Sequence, residues 1–167
     1  MRTLSLVAAL SLLTACGPNA AAENPLDIQL FVSAGLLDEL SAFQVSLVKS
    51  GSSLDCVSVQ KSCIKGQVDL SRFVPLKDSA GKTHTGLVVP LNLVAGTPTT
   101  QDLSLSGLAL GKDFALIIEG LSKDSTPKLA ATSCNYVQQL TAGTNATVQA
   151  HVGVLSPVVS CDPRLDP

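Results

Sequence analysis

The chain contains no tryptophan, one tyrosine, one methionine and four phenylalanines in 167 residues. With so few ring faces there is little on which a sugar could stack, which disfavours carbohydrate recognition. Charge is scarce as well: 14% of residues are Asp, Glu, Lys or Arg, against roughly 25% in an ordinary soluble protein. The formal net charge of −2 excludes a basic nucleic-acid binder and a disordered acidic tail. The repeated long apolar runs of a multi-span membrane protein are also missing. Hydroxyl groups fill the polar surface instead, for 31 serines and threonines outnumber the 24 charged residues. An apolar share of 46% is enough for one folded domain at this length.

At the N-terminus a single arginine, Arg2, precedes an apolar run at 4–13, followed by Thr14, Ala15, Cys16 and Gly17. One positive charge, about ten apolar residues and a small-residue site form the pattern of a secretory leader. Ten residues of helix rise about 15 Å, half of a hydrocarbon core about 30 Å thick, too short for a resident span. Leu13-Thr14-Ala15-Cys16 resembles the lipobox of bacterial lipoproteins at all four positions. The resemblance implies cleavage before Cys16, acylation of its sulfur, and N-acylation of the new terminus. Gly17 is not the aspartate that favours inner-membrane retention in enteric bacteria, so the resemblance further implies an outer-membrane address. Two or more acyl chains make a stable anchor where one does not. On this reading residues 1–15 are signal peptide, 16–25 the lipidated cysteine and a short tether, and 26–167 a single domain. The nine tether residues 17–25 reach at most about 30 Å, which keeps the domain close to the bilayer.

Four cysteines remain: Cys56, Cys63, Cys134 and Cys161. An even number in an exported chain implies two disulfides, with three possible connectivities. The spacing favours Cys56–Cys63 as a small local loop and Cys134–Cys161 as a pin on the C-terminal tail. No C-x-x-C pair exists to suggest a zinc site.

Period-two alternation dominates the rest of the chain. Leu26, Ile28, Leu30 and Val32 mark one strand; Phe43, Val45 and Leu47 mark another, ending at Ser50-Gly51-Ser52. Residues 34–41 suit a helical turn. Residues 54–60 read as a third strand and 67–74 as a weaker one, followed by a polar loop at 77–86. Leu87, Val89, Leu91 and Leu93 alternate again, with Pro90 pointing to an edge. After a turn at 96–100, Leu103 and Leu105 form a strand. Phe114, Leu116 and Ile118 then form a central one, because Ile117 makes its second face apolar too. Residues 129–140 lead through Thr141-Ala142-Gly143 into a last strand through Ala146, Val148, Ala150, Val152 and Val154 that Pro157 ends, a hairpin with a three-residue loop.

About eight short strands at regular spacing, with no convincing helix beyond the leader, predict an all-β fold: an antiparallel two-sheet sandwich. The stretch 106–114, with Leu108, Gly111 and Phe114, resembles the segment between strands E and F of fibronectin type III and related immunoglobulin-like sandwiches. A leucine, a turn glycine and a tyrosine hold those places there; Phe114 lacks the hydroxyl of the tyrosine corner. The resemblance implies an Ig-like or FnIII-like sandwich, with prealbumin-like and collagen-adhesin B-type sandwiches as alternatives.

Chemistry is sparse. Gly81-Lys82-Thr83 is the tail of a phosphate-loop motif, but Leu76 stands where the first glycine belongs. His84 lies in a polar loop and His151 on a polar strand face, and no G-x-S-x-G or H-E-x-x-H occurs. Asp102 and Asp113 flank a turn without the clustered oxygens a calcium ion wants. Glu119, near a strand end, is expected at the surface. Asn145-Ala146-Thr147 matches a glycosylation sequon. No cofactor or metal site and no catalysis are expected. The expected protein is a lipid-anchored β-sandwich of the bacterial envelope, binding or structural in role. Its expected partners are the bilayer, through acylated Cys16, and a second envelope protein, with no nucleic acid. The loops at 77–86 and 122–128 are its candidate contact surfaces. A surface adhesion protein is one alternative; an envelope hydrolase using His84 or His151 as base is another.

Overall fold

The computed structural model describes residues 24–94 and 99–166. The leader, Cys16, most of the tether and residues 95–98 of the expected turn lie outside the described residues. Nine strands carry the fold: β1 (Leu26–Val32), β2 (Leu40–Lys49), β3 (Leu76–Lys77), β4 (Thr83–His84), β5 (Leu87–Pro90), β6 (Thr99–Leu105), β7 (Gly111–Ser122), β8 (Leu129–Leu140) and β9 (Val148–Val159). One short helix, α1 (Cys56–Val59), and single 3-10 turns at Ala34–Leu36, Gly51–Ser53, Ile64–Gly66 and Leu70–Arg72 complete the described elements.

Seven strands form one curled sheet in the order β5-β2-β7-β8-β9-β1-β6, while β3 and β4 make a separate small hairpin. All neighbours are antiparallel except β1 and β9, which are parallel. The expected all-β class holds. The sheet forks at β9, whose residues 148–152 run beside β1 and whose chain from Gly153 onward runs beside β8. The two outermost strands are drawn together by one side chain. Gln101 accepts from the Asn92 N–H at 2.9 Å and donates to the Pro90 carbonyl at 3.0 Å, next to a bridge between Val94 and Thr100.

The alternating residues of β1, β2 and β7 fill the concave side as expected, with Leu26, Ile28, Leu30, Phe43, Val45, Leu47, Leu116 and Ile118 all buried. Each such side chain withdrawn from water contributes about 1.5–3 kcal/mol. The convex side of β2 and β7 is covered as well. There Val48, Ala115 and Ile117 pack under a cap made by residues 51–73, through Val59, Ile64, Val68 and Phe73, and by Leu165 of the C-terminal tail.

This cap replaces the two strands expected at 54–60 and 67–74. The Asp55 carboxylate accepts from the Val57 N–H at 3.0 Å and from the Ser58 hydroxyl at 2.7 Å, an N-cap that outweighs the alternation of Val57 and Val59 and starts α1. Asp69 caps the turn at Leu70–Arg72 in the same way. The cap joins the sheet at Asp113 of β7, where the register with β8 runs on unshifted. Asp113, at φ 64°, is left out of the ladder between Lys112 and Phe114. Its carboxylate accepts from the Ser52 N–H at 2.7 Å and the Ser52 hydroxyl at 2.9 Å. Gly51 lies so close to the Phe114 carbonyl that a Cβ there has no room.

Both disulfides tie the cap and tail down, and the connectivity differs from the expected Cys56–Cys63 and Cys134–Cys161. Cys56 pairs with Cys134 and Cys63 with Cys161, at Cα separations of 5.7 and 6.2 Å. Short spacing along the chain favours local closure, but Cys56 and Cys63 sit on the cap facing partners outside it. Cys134 lies across from Ile117 on the capped face. Two further expectations at this end are corrected. β9 runs through Pro157 to Val159, because from Gly153 onward it has a neighbour on one side only and a missing N–H is tolerated there. The β8–β9 connection is also longer than three residues, spanning 141–147, although Gly143 does take the expected positive φ, 86°.

Non-reducing peptide mapping should recover the 56–134 and 63–161 linkages and no 56–63 peptide. Replacing Cys63 and Cys161 together by serine should cost about 2–5 kcal/mol in denaturant unfolding. Gly51→Ala should destabilise by about 1–3 kcal/mol through the clash with Phe114.

Candidate functional site

The two loops singled out from sequence are internally satisfied. In 77–86, β3 and β4 pair, and Asp78 accepts from the N–H groups of Ala80 and Lys82. His84 Nε2 lies 2.9 Å from Asp78 Oδ2, and its Nδ1 lies 3.9 Å from Asp166 Oδ2 on the tail. The His84 hydrogen bond, reinforced by the Lys82 N–H, holds the Asp78 carboxyl below its ordinary range. Phe73, Pro75 and His84 help line a cavity of about 210 Å³ beside this cluster. In 122–128, the Ser122 hydroxyl donates to Asp124 and accepts from the Lys128 N–H, while Lys128 Nζ sits 3.1 Å from Asp124.

Other sequence candidates are held apart. His151 is exposed and stacks on Phe31, with ring centroids 4.7 Å apart; it shares no partner with His84. Asp102 accepts from Gln29, whereas Asp113 accepts from Ser52. Among the described residues, no group of three or more His, Cys, Asp and Glu is arranged to hold a metal ion. Asn145 of the sequon uses its amide to hold the start of the domain, donating to the Pro25 carbonyl at 2.9 Å.

Glu119 corrects the expectation of a surface acid, being 2% exposed. It follows Ala115 and Ile117 on the convex face of β7, so the cap that covers them covers it too. Its Oε1 accepts from the Ile64 N–H at 2.9 Å and its Oε2 from the Gln44 side-chain amide at 2.9 Å. The same amide of Gln44 donates to the Pro163 carbonyl at 2.6 Å, and Gln44 Oε1 accepts from the Leu165 N–H at 2.7 Å. Two buried side chains thus fasten the cap and the tail to β2 and β7 beside the Cys63–Cys161 bridge. Burial pushes the Glu119 carboxyl up to about 7, against the opposing pull of the two donated hydrogen bonds. The Thr132 hydroxyl, opposite Glu119, and the Ser46 hydroxyl, two residues from Gln44, are buried without a hydrogen-bond partner. A signal for this burial was present in the sequence: Ala115-Leu116-Ile117-Ile118 has no polar face, so an acid inside that strand must be covered.

A different surface opens where β8 and β9 part. β8 is paired with β7 along its length, but with β9 only at Leu129, Ala131 and Thr132. Residues 134–139 of β8 and 145–149 leading into β9 therefore face each other across an open groove of about 660 Å³. Sequence reasoning missed it by treating the two strands as a closed hairpin. The domain's first residues lie at one end of this groove, where Asn24 accepts from the Gly143 N–H at 3.3 Å.

No family model, curated protein or solved structure matches the chain. Among the described residues no helix is long and apolar enough to cross a membrane. Two disulfides in one domain are the habit of chains that fold in an oxidising compartment outside the cytoplasm.

Because the folded-state pKa of Glu119 lies above the ordinary value of about 4.5, its neutral form is the one the fold favours. Stability should therefore be greatest at the low end of this window and fall as pH rises from about 4.5 to about 7, by roughly 3 kcal/mol in all. Glu119→Gln carries a constant cost, since its amide meets the Gln44 amide, but it removes that slope. Thermal midpoints at pH 5, 6, 7 and 8 should fall by roughly 10 °C more in the wild type than in the variant. Parallel slopes would disprove the assignment.

Proposed function

We propose that the protein is a lipid-anchored component of the bacterial cell envelope whose disulfide-stapled domain binds or scaffolds other molecules. The observation that carries this reading is Cys16, placed after a leader and small residues and eight positions before Asn24, where the described domain begins. Acylation there would hold the chain at the bilayer through Cys16 and leave the domain outside the cytoplasm, where its disulfides can form. Gly17 favours the outer membrane as its address. With Asn24 bound to Gly143 and Pro25 to Asn145, the membrane-facing end of the domain carries the 141–147 connection; the loop at 122–128 lies at the far end of β7 and β8.

We also read the curled sheet as a two-layer sandwich. One layer is β6, β1 and the first part of β9; the other is β5, β2, β7, β8 and the rest of β9. The fork of β9 and the filled concave core support this reading. Leu108, 3% exposed, and Phe114, buried in the same core, support the likeness to the fibronectin type III E–F segment.

Cells expressing the full chain should incorporate an alkyne-tagged palmitate into the wild type and not into Cys16→Ser, and only the wild type should sediment with membranes. A wild-type protein recovered with its leader intact and unlabelled would disprove the anchor. Protease treatment of intact cells should leave the domain untouched if it faces the periplasm and degrade it if it is an outward-facing adhesion protein.

A further inference from the structure

Asn24 is held between two loops. Its Nδ2 donates to the Leu108 carbonyl at 3.5 Å, and its Oδ1 accepts from the Gly143 N–H at 3.3 Å. Beside it the Asn145 amide holds the Pro25 carbonyl. One loop is 106–110, between β6 and β7; the other is the 141–147 connection. The register puts both at one end of the sheet, since Leu26 lies across from Leu105, Ile28 from Val148 and Gly111 from Leu140. The chain therefore enters the domain between these loops.

Neither loop contains a charged residue. Leu108 is turned into the core, whereas Leu110 is 53% exposed. Two cations stand behind it. Lys112 is exposed two residues further along the chain, and the Lys77 side chain passes so near Gly107 that a Cβ there would touch it. Of the carboxylates at this end, Asp113 is occupied by Ser52, while Asp27 is exposed on β1. The far end of β7 and β8 differs, carrying Glu39, Lys123, Asp124 and Lys128 around one hollow.

We propose that the end of the domain at Asn24 is a lipid-contact surface: Leu110 enters the interfacial layer of the bilayer, and Lys77 and Lys112 meet anionic headgroups. This rests on the acylated Cys16 proposed above and adds to it a fixed orientation of the domain. The eight residues from Cys16 to Glu23 reach at most about 28 Å, so the anchor confines this end to the neighbourhood of the bilayer whatever the domain's tilt. Confinement raises the effective concentration of lipid at the surface, and a contact too weak to hold a free protein then suffices. An apolar side chain leaves water at the headgroup boundary, while lysine stems carry their ammonium groups to the phosphates. The same tether favours the bilayer over other occupants. A second copy docked end to end would set Lys77 and Lys112 against the same cations, and another protein has to be met by diffusion, whereas the bilayer is always within reach.

The chain has no tryptophan, so one introduced at Ala142, exposed in the second loop, reports on this end alone; one at Thr126, exposed at the far end, is the control. The full lipidated chain is reconstituted into vesicles of phosphatidylethanolamine and phosphatidylglycerol whose acyl chains carry bromine, which quenches indole inside the bilayer. Relative to unbrominated vesicles, Ala142→Trp fluorescence should fall about twofold or more and Thr126→Trp fluorescence by less than about 10%. Adding Leu110→Asp, or Lys77→Glu together with Lys112→Glu, should restore at least about half of the lost signal. Should Ala142→Trp not fold, Thr144→Trp in the same exposed loop takes its place. Equal quenching at both ends, no quenching at Ala142, or quenching that either set of substitutions leaves intact overturns the proposal. So does an Ala142→Trp emission that is blue-shifted yet unquenched, the sign of a protein contact. Flotation separates the two readings: protein that floats with the vesicles without quenching keeps the anchor and loses the lipid contact, and protein that does not float loses both.

Discussion

The convex face of β2 and β7 has to be covered, and the rest of the structure is arranged around how that is done. Val48, Ala115 and Ile117 would expose a continuous apolar strip if that side met water. Residues 51–73 and the C-terminal tail, remote from each other in sequence, close over it together. Neither could build an independent core at that size, so both are fastened from outside: by Cys56–Cys134, by Cys63–Cys161, and by Gln44 and Glu119 beneath them. The bridges close loops of 78 and 98 residues, which removes more freedom from the unfolded chain than local bridges would.

Glu119 shows the cost and the use of that arrangement. A carboxyl in this position is desolvated, which favours its neutral form and pushes its pKa up to about 7. The same oxygens satisfy the Ile64 N–H, while Gln44 serves Pro163 and Leu165, backbone groups that burial would otherwise leave unpaired. The polar pair thus fixes the register of cap and tail, which apolar packing alone does not specify.

The fork of β9 has the opposite character. Where the convex side of β2 and β7 is covered, the flank between β8 and β9 is left open, because β9 follows β1 over 148–152 and meets β8 only from Gly153 onward. Asn145 and Gly143 secure the domain's first residues at one end of that opening. The open flank therefore lies near the end at which the described residues begin.

Alternation in β1, in β7 and on the inward face of β2 was legible from the residues alone, as were the edge at Pro90 and the all-β class, since side-chain period and proline's missing donor are local properties. Val57 and Val59 read as strand because their alternation is also local, and only the Asp55 cap and the bridge at Cys56 turn them into α1. Glu119 read as exposed because what covers it comes from residues 64 and 163–165, far away in the chain. Cysteine parity followed from counting, but pairing depends on which surfaces meet. What the sequence by itself determined is whatever a strand's own two faces dictate. Tertiary structure decided the cap, the disulfide partners, the buried acid and the unpaired flank of β8, because each depends on segments brought together across 50 residues or more.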